Sequence, residues 1–241
     1  MGGKTRIAKQ IAAVIDQYRE PGQLVWDAFC GGLSVSVELA KTGPVLSSDG
    51  CKPLISCYQA VLAGWDPPIE VSKETWQASK LLPDTDPMKA FCGFGCSFAG
   101  KWFGGYAEAK PIVEKGIPRL KVNNPAFSSR RLLLSKLSTV NNIRLLDFLE
   151  VTPGSIDAII YCDIPYENTT GYPGGPKFDR SKFIQLVQEW SKFTHVFVSE
   201  YNFPIGKEIW SQALDSRVNV KSGSAKKSIE KLFHIPKGSL R

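Results

Sequence analysis

The chain has 241 residues and a formal net charge of +7, with ordinary apolar content. That length accommodates an α/β domain carrying a smaller insertion, and the composition excludes an intrinsically disordered chain. The positive excess points to a polyanionic partner, nucleic acid first and an anionic membrane surface second, because net charge governs association rather than fold.

The start, "MGGKTRIAKQ", is charged and lacks the apolar stretch of a signal peptide. No later run reaches the roughly 18–20 apolar residues that span a bilayer. A cytoplasmic protein is therefore expected, not bound to membrane, with its six cysteines reduced. The segment "TRIAKQIAAVIDQY" then places Ile7, Ile11, Val14 and Ile15 on one helical face. Two apolar runs follow as strands, "QLVWDAF" from Gln23 and "PVLSSD" from Pro44. From about Tyr58 to Asn141 the alternation stops, and "LAGWDPP", "LLPDTDP" and "FCGFGCSFAGKWFGGY" suit an inserted lobe. The expected division is a core of residues 1–57 and 142–241 with a lobe of 58–141. Cys92 and Cys96 could join Cys51 and Cys57 at a metal, but neither pair has zinc-ribbon spacing, and no metal is expected.

Beyond the lobe, "NNIRLLDF" from Asn141 is a weaker strand and "IDAIIYCD" from Ile156 a strong one. "SKFIQLVQEWSKF" is a helix with Phe183, Ile184, Val187 and Trp190 on one face, and "HVFVSEY" from His195 is a further strand. The tail offers "SRVNV" and "EKLFHI" around a basic loop, an antiparallel hairpin at the sheet's edge. Strands alternating with helices predict a Rossmann-like α/β fold, mostly parallel and covered on both faces.

Two motifs carry chemistry. In "DAFCGGLSVSVEL" a strand ends at Asp27, a turn follows at Gly31 and Gly32, and a helix begins near Ser34. Such a loop lets a ligand approach the backbone, and about twenty residues on Asp49 can accept hydrogen bonds from ribose hydroxyls. Two glycines after a strand also make any tight turn; Asp49 at that interval favours a nucleoside. No Walker sequence or dinucleotide fingerprint accompanies it, so a nucleoside without pyrophosphate fits, such as S-adenosylmethionine. In "YCDIPYENTTGY", Asp163 ends a strand where ligands gather in such sheets. The Asp163 carboxylate and the Ile164 carbonyl, held extended by Pro165, are two acceptors for an exocyclic amino group. Tyr166 supplies a face on which a base can stack. Taken alone, "DIPY" also reads as a strand-ending turn with a buried tyrosine.

With both motifs in place, the chain resembles Dam-like DNA adenine-N6 methyltransferases of the compact phage and prophage type, over nearly its whole length. Gly2, Gly3 and Lys4 in "GGKTRIAKQI" are similar to the family's N-terminal motif lining the methionine end of S-adenosylmethionine. "DAFCGGLSV", with Asp27, Phe29, Gly31, Gly32 and Ser34, resembles its cofactor loop, and Asp49 its ribose-binding acid. Asp147 and Phe148 look like the pair flanking the cofactor's adenine, and "DIPY" like the catalytic Asp-Pro-Pro-Tyr. "SEYNFP" and "KKSIEKLF" are similar to later core segments, and "GKWFGGYA" to phage members within their target-recognition domain. The resemblance implies a methyltransferase sheet with an inserted recognition lobe and a bacterial or phage-infected host cell. It also implies direct methyl transfer to adenine N6 in a base flipped out of double-stranded DNA, by a monomer or weak dimer. Three departures stand out: Ile164 replaces the first proline, Leu33 replaces a third glycine and narrows the cofactor's space, and the chain starts at the GGK segment.

Lys101, Trp102, Tyr106, Lys110, Arg119 and Arg130 interleave cations with rings in the lobe, and Lys226 and Lys227 add a basic patch in the tail. Cations of this kind neutralise phosphate and position a duplex. Phe91, Phe94 and Phe98 are expected in the lobe's core, with Trp102 and Tyr106 facing DNA. Tyr172 and Phe178 flank a Gly/Pro-rich loop that could close over the base. Other readings are the same chemistry on cytosine N4 or an RNA base, or a non-catalytic DNA-binding decoy or regulator keeping the fold. A cytosine-C5 mechanism would need a Pro-Cys nucleophile, which the sequence lacks.

Overall fold

The computed structural model describes residues 4–108, 110–114, 117–166, 178–215 and 227–239. In chain order the elements are α1 (Ala8–Ile15), β1 (Val25–Asp27), α2 (Ser34–Leu39), β2 (Val45–Asp49), α3 (Lys52–Leu62), α4 (Lys73–Ala78) and α5 (Pro87–Ala90). They continue with β3 (Lys110–Glu114), β4 (Ile117–Asn123), α6 (Pro125–Leu137), β5 (Ile143–Leu145), β6 (Ile159–Asp163), α7 (Arg180–Ser191), β7 (Val196–Glu200), β8 (Lys207–Asp215) and β9 (Lys227–Ile235). Seven strands form one sheet in the order β5-β2-β1-β6-β7-β9-β8. The first five are mutually parallel, and β9 and β8 add antiparallel. This is the Rossmann-like, mostly parallel sheet with an antiparallel C-terminal pair that the sequence predicts.

The central strands are buried at nearly every position because both faces are covered. Ile160 and Cys162 of β6 join Trp26, Val196 and Val198 under Phe183, Val187 and Trp190 of α7. The alternate residues, Ile159 and Tyr161, join Val25 and Phe197 against Ile7, Ile11 and Ile15 of the N-terminal segment. Val14 and Ile184, expected on the buried faces, are only partly buried. Asp179 starts α7 by accepting from the Lys182 amide at 3.0 Å.

The hairpin begins earlier than "SRVNV" predicts. Its first strand is β8, "KEIWSQALD", and residues 216–220 lie outside those described. None of residues 207–214 is fully buried and the register shifts between Glu208 and Trp210, so the period-2 pattern that reveals a strand is missing.

Tyr58 falls inside α3, and the buried residues described between α3 and β5 share a core with the loop after β1 and with α3. Trp76, Phe91, Phe94 and Cys96 share one buried cluster with Cys30 and Leu33 of the loop after β1 and with Leu54 and Ile55 of α3. Phe91 and Phe94 are buried as expected, whereas Phe98 is 67% exposed. Phe98 stands on a tight loop closed by its own amide on the Gly105 carbonyl (2.8 Å), with Ala99 in the left-handed region. Trp102 and Tyr106 pack inward instead of both facing solvent. Trp102 lies so close over Gly93 that a Cβ there would stand 2.4 Å from the indole. The Tyr106 hydroxyl donates to the Val71 carbonyl at 2.7 Å.

Candidate active site

In an open parallel sheet, ligands gather beyond the carboxyl ends where strand order reverses, which is between β1 and β6. Asp27, Asp49, Asp163 and Glu200 each end one of these parallel strands. The loop after β1 is fixed along its length. The Cys30 amide donates to Ser48 O at 2.8 Å, the Gly31 amide to Asp49 Oδ2 at 3.0 Å, and the Leu33 amide to Cys30 O at 2.7 Å. The Tyr58 hydroxyl donates to Gly31 O at 2.7 Å. Asp49 Oδ1 accepts from the Cys51 amide at 2.8 Å, so both its oxygens are oriented by backbone.

Leu33 occupies the left-handed region (φ 60°, ψ 18°), where glycine is the easy choice. Its side chain is completely buried in the cluster with Leu54 and Ile55. The expectation that it narrows the ligand space is therefore corrected: the leucine is turned into the core, and apolar burial offsets the backbone strain.

Asp27 is 1% exposed; its Oδ2 accepts from Ser36 Oγ at 2.6 Å, and Oδ1 has no hydrogen-bond partner. Burial pushes its pKa up to about 7, with Asp163 and Asp49 adding to the rise and the Ser36 hydroxyl and the Phe29 backbone amide opposing it. A buried acceptor without a donor fits a donor brought by a ligand. Nearby, Phe29 packs on Phe148 (centroids 4.9 Å), Phe178 (6.0 Å) and Phe183 (5.7 Å). Asp147 caps the short turn at Phe148, accepting from the Leu149 amide at 3.0 Å. Asp27, Phe29, Asp49, Asp147 and Phe148, from three strand ends, thus border one end of the sheet.

Beside them, Lys4 Nζ contacts Asp163 Oδ1 at 2.8 Å, Glu230 Oε2 at 3.3 Å and the Tyr166 hydroxyl, and lies 4.3 Å from the Tyr166 ring centroid. The Tyr166 hydroxyl donates to Glu230 Oε2 at 2.5 Å, and its ring meets Tyr201 edge-on at 4.6 Å. Burial raises the Asp163 pKa and Lys4 opposes the rise; Glu230 and Glu200 add to it. For Lys4, burial lowers the pKa, but Asp163 and Glu230 outweigh it and hold the ammonium protonated. Arg180 of α7 holds Glu200 at 2.7 Å and the Asn202 carbonyl at 3.0 Å, which sets the "SEYN" turn beside Tyr201. Ile164 is 2% exposed, packed under β6 and α7.

Some expected residues fall elsewhere. Gly2, Gly3, Tyr172 and Lys226 lie outside the described residues, as do the side chains of Lys110, Arg119 and Lys227. Lys101 is exposed beside Phe98. Arg130 is paired with Asp66 at 2.6 Å. Phe178 packs on Phe148 at 5.5 Å. Glu230 and Lys136, which reaches the Gly32 carbonyl, were not singled out from sequence. Glu230 lies within "KKSIEKLF", whose place in the resemblance was its only signal.

Comparison with known proteins bears on this site. Residues 1–86 match the family model described as D12 class N6 adenine-specific DNA methyltransferase. That span holds Lys4, the loop after β1 and Asp49, and it agrees with the resemblance drawn from those motifs. A comparison with curated proteins finds no match. Among solved structures, the chain is similar to a candidate RNA methyltransferase, PH1948, from Pyrococcus horikoshii. The two share 9% identity over 97% of this chain and 83% of the other, with a TM-score of 0.43. It is also similar to SMU.472, a candidate methyltransferase complexed with SAH, at 12% identity over 99% of this chain and TM-score 0.34; the match spans 55% of that protein's chain.

Proposed function

We propose that this chain, whose first 86 residues match the D12 class, transfers a methyl group from S-adenosylmethionine to the N6 amino group of adenine in double-stranded DNA. The observation that carries the reading is Asp163. It is a strand-ending carboxylate at the reversal of strand order, set against Lys4, Tyr166 and Glu230 and close enough to Asp27 and Asp49 for their charges to interact.

The donor set fits the cofactor. Asp49 is oriented to accept from ribose hydroxyls, Phe29 and Phe148 offer rings beside a flat base, and Asp27 Oδ1 awaits a donor. Gly2, Gly3, Lys4, Gly31, Gly32, Ser34 and Asp147 complete the proposed lining. When bound, S-adenosylmethionine supplies an electrophilic methyl group. Asp163 and the Ile164 carbonyl accept the two amino hydrogens, which draws the nitrogen lone pair out of ring conjugation and towards that methyl. Lys4 engages Asp163 Oδ1, so Oδ2 is the acceptor for the amino group and for the proton the nitrogen sheds. A base flipped from the duplex stacks against the Tyr166 ring, which is fixed through its hydroxyl by Glu230 and Lys4. Pro165 keeps the Ile164 carbonyl extended.

Residues 58–141 serve as the target-recognition lobe. Phe98 and Lys101 are on its exposed loop; Trp102 and Tyr106 support that loop from within. Lys110, Arg119, Arg130, Lys226 and Lys227 contribute to phosphate contact. The protein works in the cytoplasm without a metal, as a monomer or weak dimer.

Incubating the protein with methyl-labelled S-adenosylmethionine and DNA, then digesting to nucleosides, tests this. Label is expected in N6-methyladenine. Label in N4-methylcytosine, or only in RNA, contradicts the adenine reading, and absence of S-adenosylmethionine binding by calorimetry would favour a non-catalytic DNA-binding protein.

A further inference from the structure

The transfer proposed above breaks an S–CH3 bond and forms an N–CH3 bond, which passes a positive charge to the amino nitrogen. An N–H bond must then break, its electron pair staying on nitrogen and its proton forming an O–H bond at Asp163 Oδ2. Asp163 is paired with Lys4 at 2.8 Å, and a carboxylate paired with a lysine alone is a poor base. Lys4, however, does not serve Asp163 alone. Its Nζ also lies 3.3 Å from Glu230 Oε2, so one ammonium bridges carboxylates carried by β6 and β9. The Lys4 side chain is 9% exposed and that of Glu230 11%, so solvent screens little of this interaction. One cation between two carboxylates leaves the cluster one negative charge in excess, which a single proton cancels.

The other acids whose charges reach Asp163 have different attachments. Glu200 is held by Arg180 at 2.7 Å. Asp49 has both oxygens on backbone amides, and Asp27 accepts from Ser36. Among the described residues, Glu230 has no cation but Lys4, and it accepts from the Tyr166 hydroxyl as well. We infer that Glu230 is a positioning residue that makes Asp163 the proton acceptor of the reaction: it competes for Lys4 and keeps that ammonium paired once the proton is on Asp163. The inference rests on the methyltransferase reading above and adds a role that the bond from Tyr166 does not require. Without Glu230, protonating Asp163 would leave Lys4 charged, nearly buried and without a counter-charge. With it, Lys4 passes from two partners to one. Burial raises the Asp163 pKa first, Lys4 opposes that rise and the Glu230 charge adds to it, so removing the charge weakens Asp163 as a base.

The test labels the aspartate carboxyls of the whole chain with carbon-13 and follows Asp163 through a pH titration by NMR, its resonance assigned by its absence in Asp163→Asn. Asp163 is expected to titrate at lower pH in Glu230→Gln than in the wild type, and close to the wild type in Glu230→Asp, which keeps the charge. Single-turnover methyl transfer by Glu230→Gln is expected to be about tenfold slower, with its acid limb moved to lower pH in step with the titration. A midpoint that does not move, or that moves equally in both variants, overturns the inference. A midpoint that moves while the acid limb stays in place also overturns it, because Asp163 is then not the acceptor of the proton. A wild-type chain that transfers no methyl group overturns the methyltransferase reading itself, and the titration then reports only on the charge cluster.

Discussion

Asp27 and Glu230 can each be tested by a single substitution, Asp27 through stability and Glu230 through the rate of transfer. The Asp27 pKa stands at about 7 in the folded chain against an ordinary 3.8, chiefly because it is buried. The folded state therefore keeps a proton that the unfolded state releases. This stabilisation is full below pH 3.8 and is lost as pH rises through 7. Asn at this position does not titrate, so without cofactor Asp27→Asn should gain in Tm on the wild type between pH 4 and pH 8; thermal melts with a constant difference would contradict it. Glu230 acts as a positioning residue through its 2.5 Å bond from the Tyr166 hydroxyl and its contact with Lys4. Glu230→Gln should slow single-turnover methyl transfer by about tenfold, as a charge-assisted bond weakens to a neutral one. Its affinity for S-adenosylhomocysteine should not change; an unaltered rate would remove Glu230 from the account. Asp49 and Asp163 were legible in the sequence because an acid ending an apolar strand stands out locally. Lys136 and Glu230 were not. Their partners lie 104 and 64 residues away, and no periodicity reports which distant oxygen a side chain meets.

At the scale of elements, α7 and the β8–β9 hairpin divide what pattern reveals from what it hides. The 3.6-residue spacing of Phe183, Val187 and Trp190 was read directly, and all three are buried beneath β6 and β7. Phe183 also packs against Phe29 and Phe148, so it supports the proposed cofactor side of the site from below. Phe183→Ala should cost about 3–5 kcal/mol of unfolding free energy by chemical denaturation, the range for emptying a buried phenylalanine. The hairpin was located only approximately, because an edge strand with a register shift loses the alternation on which recognition depends. Its inner strand carries His234, stacked on Phe197 (4.7 Å, 12°), with Nε2 2.9 Å from His195 Nδ1. Burial, and then His195, lowers the His234 pKa from 6.5 to about 4. The neutral ring is the folded form, so its contribution is present above pH 6.5 and is lost as pH falls towards 4. His234→Phe should flatten the wild type's fall in Tm between pH 7 and pH 5. Parallel curves would show that other groups set the acid limit.

For the whole molecule, the loop after β1, α3 and the segment beyond it share one apolar cluster through Cys30, Leu33, Leu54 and Phe91, so the proposed DNA-binding surface and the proposed cofactor loop have a common support. A net charge of +7 coexists with four acids at the carboxyl ends of the parallel strands. Two of those acids are paired with cations, Asp163 with Lys4 and Glu200 with Arg180, so the proposed centre is not uniformly acidic. The fold class was readable from strand–helix alternation, and the proposed site rests on two strand-ending motifs. The lobe's surface was not readable, because rings that fill a core and rings that meet a ligand have the same composition; Phe98 and Trp102 exchanged the places expected of them. The most direct test is methylome sequencing of a methylation-free host expressing either the wild type or Asp163→Ala. N6-methyladenine at a defined sequence with the wild type, and none with the variant, is the predicted result. N6-methyladenine made equally well by Asp163→Ala, or methylation confined to cytosine, would contradict the account.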